Sequence, residues 1–455
     1  MSWSDRVLEI LSDGTRSPAG DAWELSYKSA TTGVTRYAAF RVHQNVESDT
    51  IKVRARVAVG RQVGIADTSD MRPEGVRAVL RRAYQLARSS PEDTSFAGFA
   101  GPGEDRPNGE RLFSRATDEC TAADRAERVN LILKRLGGDN LDAAGLVSTR
   151  TDRAALLNSF GLSDAYRATT GCIRVFAAGE GGASGYAGAV HRDFSTLDAA
   201  VIASTAARKA VRGRDPVDIE PGDYDVILEP TAVSEILEWM SIGSFGARSL
   251  EDASSLLAGR IGERVTGTDI TIRSTDASVG MGAPAELFDG EGVVRRPVEL
   301  IRNGIARGVV HDRRTAARAS NDKTKVESSG HTPSDGLWGG PHAKHLEMLG
   351  GKASFGELLG KVERGLWITR FHYVNGLLDT RAARMTGMTR DGTFMIENGR
   401  VARGVNNLRF TDSFLEAFSR IDGITADRRV VPTWWAEGGA HLVPGVLIRG
   451  LHFSS

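Results

Sequence analysis

Cysteine is almost absent from this chain of 455 residues, which contains only Cys120 and Cys172. Two cysteines are too few for the disulfide framework that stabilises many small secreted domains. The first ten residues, MSWSDRVLEI, include charges where a secretory signal peptide needs an apolar run. We therefore expect a reduced protein located in the cytoplasm.

The chain also lacks a charge surplus and a long apolar run. Lysine and arginine together number 58, and aspartate and glutamate also number 58, so the formal net charge is zero. Nucleic-acid-binding proteins usually carry a basic surplus, because much of their affinity comes from releasing the counterions of phosphates. No stretch of the sequence reaches the roughly 20 apolar residues that a membrane helix requires. We expect neither a nucleic-acid nor a membrane partner.

Glycine is abundant, with 52 residues, and many of them lie between runs of alternating apolar residues. This distribution predicts many β turns. In the N-terminal part, the alternation predicts strands over 23–27, 51–59 and 63–66. A helix should follow, beginning at Pro73, which suits a first helical position, and ending near Ser90.

A similar order of elements recurs further along the chain. Strands over 173–179 and 185–189 precede a helix over 197–211, again in the order strand, glycine turn, strand and helix. The recurrence favours an internal duplication, with units at 1–95 and 120–213. The alternative is that any meander followed by a helix would produce the same pattern.

The segment 96–110 is rich in glycine, proline and charge without periodicity, so we predict that it links the two units. Together they form an N-terminal domain over 1–218. The remaining chain, 219–455, contains Asn-Gly dipeptides at Asn303 and Asn398 between alternating apolar residues, which strongly favours β-hairpins. The predicted fold class is therefore α+β, with strand-plus-helix units first and then a β-rich domain of hairpins with a few helices.

A close histidine pair, His342 and His345, is the first candidate for metal chemistry, with Glu347 just beyond it. Glycines on both sides favour a loop, no cysteine is near, and a zinc site needs three or four converging ligands. We interpret the pair as a solvated or partner-facing segment. His372 lies in an aromatic strand, where it either lines a cavity or is buried and hydrogen-bonded.

Several longer stretches resemble one known family. They are RVAVGRQVGIADTSDMRPEGVRAVLRRAYQLAR (56–88), GDYDVILEPTAVSEILEWM (222–240), LIRNGIARGVVHDRRTAAR (300–318) and TRDGTFMIENGRV (389–401). Their combination and order are similar to those of the TldD/PmbA family, also called the modulator of DNA gyrase family. The resemblance covers nearly the whole chain.

In that family, TldD-like members are zinc peptidases that carry His-Glu-x-x-x-His on a helix and a further cysteine ligand near the C-terminus. The resemblance places the two histidine positions on Ser234 and Trp239, and the glutamate on Glu235. An indole nitrogen only donates hydrogen bonds, and a serine hydroxyl is a poor zinc ligand. No cysteine follows Cys172. We therefore expect a degenerate metal site and no metal in this chain.

The resemblance implies a TldE/PmbA-like subunit that is not catalytic by itself. Its partner would be a TldD-like, zinc-bearing subunit, and the heterodimer would act on a peptide or a small amide-type substrate with a C–N bond. His372, Tyr373 and Arg390 are candidates for lining the substrate chamber.

Two alternatives remain open from the sequence. The chain could be a stand-alone homodimer that binds a peptide or other ligand. It could instead be a metal-independent hydrolase that uses Ser234, Glu235, His372 or Arg390.

Overall fold

The computed structural model describes residues 2–15, 20–103, 106, 109–275, 282–333, 339–435 and 439–454. Within these residues the chain forms two β-sheets with helices packed against them, which confirms the predicted α+β class. None of the described helices is long and apolar enough to cross a membrane.

The first sheet is built from the N-terminal part of the chain. Its strands are β1 (Ala22–Ala38), β2 (Arg41–Val59), β3 (Gln62–Thr68), β4 (Asp142–Asn158), β5 (Ser163–Ala178) and β6 (Ser184–His191). Over the described residues their spatial order is β3-β2-β1-β4-β5-β6, and all neighbours are antiparallel. The helices of this part are α1 (Trp3–Gly14), α2 (Pro73–Ser89), α3 (Arg115–Asp118), α4 (Ala122–Gly137) and α5 (Ala199–Arg212).

The two halves of this sheet share one order of elements: a helix, three strands and a closing helix. In each half the last strand lies so close to the closing helix that only glycine fits. A Cβ atom on Gly64 would collide with the backbone of α2, and one on Gly185 would collide with the backbone of α5. The strands and helices predicted in both halves are confirmed. A duplication of the sequence stays a prediction.

The segment predicted as a linker is partly buried in its described part, and its role as a linker stays a prediction. Residues 96–103 run without regular secondary structure, yet Phe99 and Ala100 are buried. Arg313, from the C-terminal part, donates hydrogen bonds to the carbonyls of Gly98 and Phe99. Apolar burial and these bonds hold the segment against the protein. Residues 104, 105, 107 and 108 of the linker lie outside the described residues.

The second sheet uses the remaining strands. They are β7 (Gly222–Leu228), β8 (Ile272–Ser274), β9 (Val298–Arg302), β10 (Ile305–Ala306), β11 (Leu346–Met348), β12 (Arg364–Asp379), β13 (Arg384–Glu397), β14 (Arg400–Gly404), β15 (Arg409–Ser413), β16 (Ile421–Pro432) and β17 (Ala440–Phe453). In the described chain the order is β10-β9-β8-β11-β17-β15-β13-β12-β7, with β14 on β13 and β16 on β17. Strand β7 also pairs with β17, so five of these strands close on themselves.

The helices of the C-terminal part are α6 (Pro230–Ser244), α7 (Ala247–Glu251), α8 (Arg313–Ala319), α9 (Phe355–Gly360) and α10 (Phe414–Ser419). Both predicted Asn-Gly hairpins are confirmed, one between β9 and β10 and one between β13 and β14. Asn303 and Asn398 have φ angles of 50° and 51°, and the glycine after each is also positive. These are the conformations that the hairpin turn requires.

Candidate functional site

Helix α6 carries the positions of the degenerate metal site. It begins at Pro230 directly after β7, and it packs against β12 and β17. Ten of its fifteen residues are buried, so the helix is enclosed on nearly all sides. For this reason its polar side chains must find partners inside the protein.

Ser234 lies beside a histidine that the sequence analysis did not single out. His441 Nδ1 is 3.1 Å from Ser234 Oγ and 3.1 Å from the Ser234 carbonyl oxygen. A carbonyl only accepts, so Nδ1 carries the proton and cannot take one from the hydroxyl. Both side chains are buried, at 2% and 1% exposure, and burial lowers the pKa of His441 to about 3. The pair is therefore not a nucleophile with its base.

Glu235 is a buried carboxyl group in an apolar setting. Burial, with a smaller contribution from nearby Glu238, raises its pKa to about 8 against the opposing effects of Arg370 and of a hydrogen bond with the Phe371 backbone. Its Oε2 atom has no hydrogen-bond partner in the described part of the chain. The group is thus mostly protonated at neutral pH, and a protonated carboxyl is neither a general base nor a metal ligand.

Glu238 and Trp239 complete this region, which we call the α6 centre and define as Ser234, Glu235, Glu238, Trp239 and His441. The two Glu238 oxygens accept hydrogen bonds from the backbone N–H groups of Trp434 and Trp435, at 2.9 and 2.8 Å. The Trp239 ring meets the Trp435 ring edge-on, with centroids 5.7 Å apart. The rings of Trp239 and Trp435 thus fill the space at the Trp239 end of the α6 centre.

The α6 centre does not fit the zinc ion that the family resemblance implies. Trp239 Nε1 is a buried donor with no acceptor among the described residues, and it has no lone pair to offer a metal. Ser234 is engaged with His441, and the carboxyl of Glu238 is held by backbone donors. Within the described ranges, no group of three or more histidine, cysteine, aspartate or glutamate side chains could hold a metal ion.

The three predicted chamber-lining residues lie together on the β12–β13 pair. His372 is half-buried and pairs with Met388 across the two strands, while Tyr373 is 80% exposed and Arg390 is exposed. Burial, followed by the charges of Arg370 and Arg390, lowers the pKa of His372. None of the three borders the cavity described below. Their role in a chamber stays a prediction.

The prediction that His342 and His345 are solvated or face a partner is wrong for this chain. They do lie in a loop, but they are only 7% and 4% exposed. The His342 N–H donates to the His331 carbonyl, and the Thr275 N–H donates to the His345 carbonyl, both at 2.9 Å. These backbone bonds tie the loop to the core, so its imidazoles point inward.

A charged cluster lies next to these histidines, and we call it the cavity centre, defined as Glu286, Arg295 and Lys344. Arg295 Nη2 and Lys344 Nζ donate to the two Glu286 oxygens, at 2.6 and 3.1 Å. Burial alone would raise the pKa of Glu286, but Lys344 and Arg295 hold it well below its usual value. Burial is the largest cause that holds the pKa of His345 well below its usual range, and the positive charges of Arg295 and Lys344 also lower it. The imidazole is therefore neutral.

A cavity of about 520 Å³ opens beside this cluster, between the first sheet and loops of the C-terminal part. Its sheet side includes Lys28, Lys52, Arg150 and Arg153, and its C-terminal side includes the cavity centre. Basic side chains from both parts of the chain thus meet around one space.

Sequence reasoning missed His441, Glu238 and the cavity centre. His441 is 207 positions from Ser234 and Arg295 is 49 positions from Lys344 in the chain, so no short motif joins them. The packing of β17 against α6 brings His441 to Ser234. One signal was present: Glu238, like Glu235, is a carboxylate at a core-facing position of a mostly apolar helix.

Comparison with known proteins identifies related sequences. A family model described as the PmbA/TldA metallopeptidase C-terminal domain matches residues 221–455. A metalloprotease of Methanothermobacter thermautotrophicus is 24% identical over 224 residues, which are 49% of this chain and 47% of that protein. A metalloprotease of Methanocaldococcus jannaschii is 24% identical over 228 residues, which are 50% of this chain and 48% of that one. The chain thus spans about half the length of these relatives.

Solved structures with the same fold match over almost the full length. TldE from Thermococcus kodakarensis superposes with a TM-score of 0.86 at 18% identity, covering 99% of both chains. A candidate modulator of a DNA gyrase from Thermotoga maritima superposes with a TM-score of 0.82, also at 18% identity and 99% coverage of both chains. At this identity the likeness establishes the fold.

Proposed function

The chain belongs to the PmbA/TldD metallopeptidase family. We propose that, within this family, it is the non-catalytic, TldE-like subunit of a heterodimer. The partner is a TldD-like subunit that carries the catalytic zinc. The observation that supports this role is the α6 centre, where an indole and an engaged serine occupy the positions at which the family's zinc peptidases carry histidine. A subunit without a metal site contributes by binding its partner and by closing one side of the space in which the substrate lies.

Exposed apolar side chains near the α6 centre support a protein partner. Tyr373, Leu377 and Leu378 are all at least half exposed on the end of β12, and Trp435 is 56% exposed. The same end of β12 packs on the α6 centre, because a Cβ atom on Gly376 would collide with Trp239. Clustered exposed apolar groups mark protein–protein contacts more often than they mark free surface.

The substrate class we propose is a peptide or a small amide-type compound, cleaved at a C–N bond by the partner's zinc. This chain closes one side of the space in which the substrate lies. We place the heterodimer in the cytoplasm, a reducing compartment that suits the two free cysteines Cys120 and Cys172.

Co-expression with a TldD-like protein tests the partnership. The two chains should co-purify in equal amounts and elute together from a sizing column. Leu377→Asp should weaken the complex, because it buries a charge in the proposed interface. Val201→Asp is the matched control, since Val201 is 60% exposed on α5, outside the proposed interface, and Leu377 is 58% exposed.

Equal weakening by both substitutions, or a stable homodimer with no affinity for the TldD-like chain, would refute the heterodimer. The second outcome would favour a stand-alone ligand-binding protein. The hydrolase alternative is tested by the activity assay in the Discussion.

A further inference from the structure

The cavity between the two parts of the chain has the size of a ligand site. Its volume of about 520 Å³ lies within the range of roughly 300–1,000 Å³ that is typical of small-molecule pockets. Residues of β1, β2, β4 and β5 form one side, and residues 284–286, 331–333 and Arg295 contribute to the other. No motif of the sequence analysis accounts for it.

The lining of the cavity is strongly basic. Among its described lining residues, the cationic side chains are Lys28, Lys52, Arg150, Arg153, Arg295 and Lys344, and the anionic ones are Asp152 and Glu286. Both carboxylates are already engaged, Asp152 with Arg150 at 2.8 Å and Glu286 with two cations of the cavity centre. Lys52 and Arg153 also pair with Asp67 and Asp118, which lie outside the lining, and the positive charge that remains in excess favours a negatively charged ligand.

Arg295 is the buried group that a ligand would satisfy. Its side chain is 4% exposed, and Nη2 is taken by Glu286. Its Nε and Nη1 atoms have no hydrogen-bond acceptor in the part of the chain that the structure describes. Leaving such donors unsatisfied in the interior is costly, and the guanidinium fork matches the two oxygens of a carboxylate.

We propose that the cavity binds a carboxylate group of the ligand, held by Arg295 and Lys344. The Nε and Nη1 atoms of Arg295 are buried, so their direct contact with a carboxylate requires the guanidinium to turn toward the cavity. The neutral side chains of His331 and His342 border the same space and add no competing negative charge. Assigning this carboxylate to the substrate rests on the proposed function, whereas its binding to the isolated chain does not.

Calorimetric titration of the isolated, full-length chain tests the site. The probes are acetyl-trialanine with a free C-terminal carboxylate, the same peptide as its C-terminal amide, and inorganic phosphate. The free acid should bind roughly tenfold more tightly than the amide, because only the acid can form charge-assisted bonds with Arg295. Phosphate should bind no more tightly than the free acid.

Two substitutions distinguish a specific role of Arg295 from a general effect of positive charge on the protein. Arg295→Gln should remove the preference for the acid over the amide. Arg296→Gln is the matched control, because Arg296 is the next residue, is exposed, pairs with Glu327 and does not line the cavity. If Arg295→Gln fails to fold by circular dichroism, Lys344→Gln replaces it, and it should reduce the same preference.

Several results would overturn the proposal. The first is equal binding of acid and amide, or no binding of either. The second is binding of phosphate that clearly exceeds that of the acid. The third is an acid preference that Arg296→Gln reduces as much as Arg295→Gln does. Because co-purification with the TldD-like chain is measured separately, loss of the anion site and loss of the heterodimer are distinguishable.

Discussion

The α6 centre and the cavity centre each hold a carboxyl group whose burial favours the protonated form. Their charge states are nevertheless opposite. At the α6 centre burial prevails and Glu235 stays protonated, whereas at the cavity centre two cations keep Glu286 ionised. Burial alone therefore does not decide what a polar site can bind. The neighbouring side chains decide it, and here they leave the α6 centre closed to a cation and the cavity open to an anion.

The largest expected effect is on the activity of the assembled heterodimer. Glu235→Gln should leave that activity nearly unchanged, because Glu235 has no metal-bound water to activate. The matching glutamate substitution in the zinc-bearing partner should reduce activity by about 10²–10⁴-fold, the usual contribution of a general base. The assay combines wild-type and substituted subunits in a two-by-two design, with and without a chelator. Chelator-insensitive hydrolysis by this chain alone, lost in Glu235→Gln, would instead establish a metal-independent hydrolase.

The pH dependence of stability should separate the two centres. Folding raises the pKa of Glu235 from 4.5 to about 8, so its contribution to stability is lost as pH rises through that window. Wild type should lose stability relative to Glu235→Gln by about 1.4 kcal/mol per pH unit between pH 6 and 8. Urea unfolding at several pH values measures the difference. Parallel pH curves for the two proteins would show that Glu235 is ionised in the folded state.

The cavity centre should respond to pH in the opposite direction and more weakly. Lys344→Gln should destabilise the chain by about 1 kcal/mol at pH 7, because it removes one of two cations beside Glu286, whose side chain is only 23% exposed. The difference should shrink as pH falls below 4.5, where Glu286 begins to gain a proton in the unfolded state and its favourable ionisation is lost. The exposed Lys352 provides the control substitution, Lys352→Gln. A difference that does not change with pH would indicate lost packing rather than lost charge.

The sequence predicts the features that depend on residues close together in the chain. It does not predict those that depend on contacts between distant residues. Local patterns predict α2, α5, the two Asn-Gly hairpins and the strands beside them, because turn and helix preferences act over a few residues. The family resemblance leads to Ser234, Glu235 and Trp239. Phe99, in the predicted linker, is buried and its carbonyl accepts a hydrogen bond from Arg313, 214 positions away, and no local pattern encodes this contact.

The histidine loop shows the same limit. Glycines around His342 and His345 correctly indicate a loop, but whether a loop faces water or the core depends on its tertiary partners. Here those partners are His331 and Thr275, which lie outside the motif. The cavity centre could not be predicted for the same reason, because Lys344 lies 58 positions from Glu286 in the chain.

Metal analysis of the isolated chain tests the central claim most directly. The purified chain is incubated with excess zinc and desalted, and its metal content is measured by mass spectrometry, with the TldD-like partner handled in the same way. We predict far less than one zinc per chain here and about one per chain in the partner, because Ser234 and Trp239 offer no ligand set. About one zinc per chain in this protein, lost on substitution of His441 by alanine, would contradict the account.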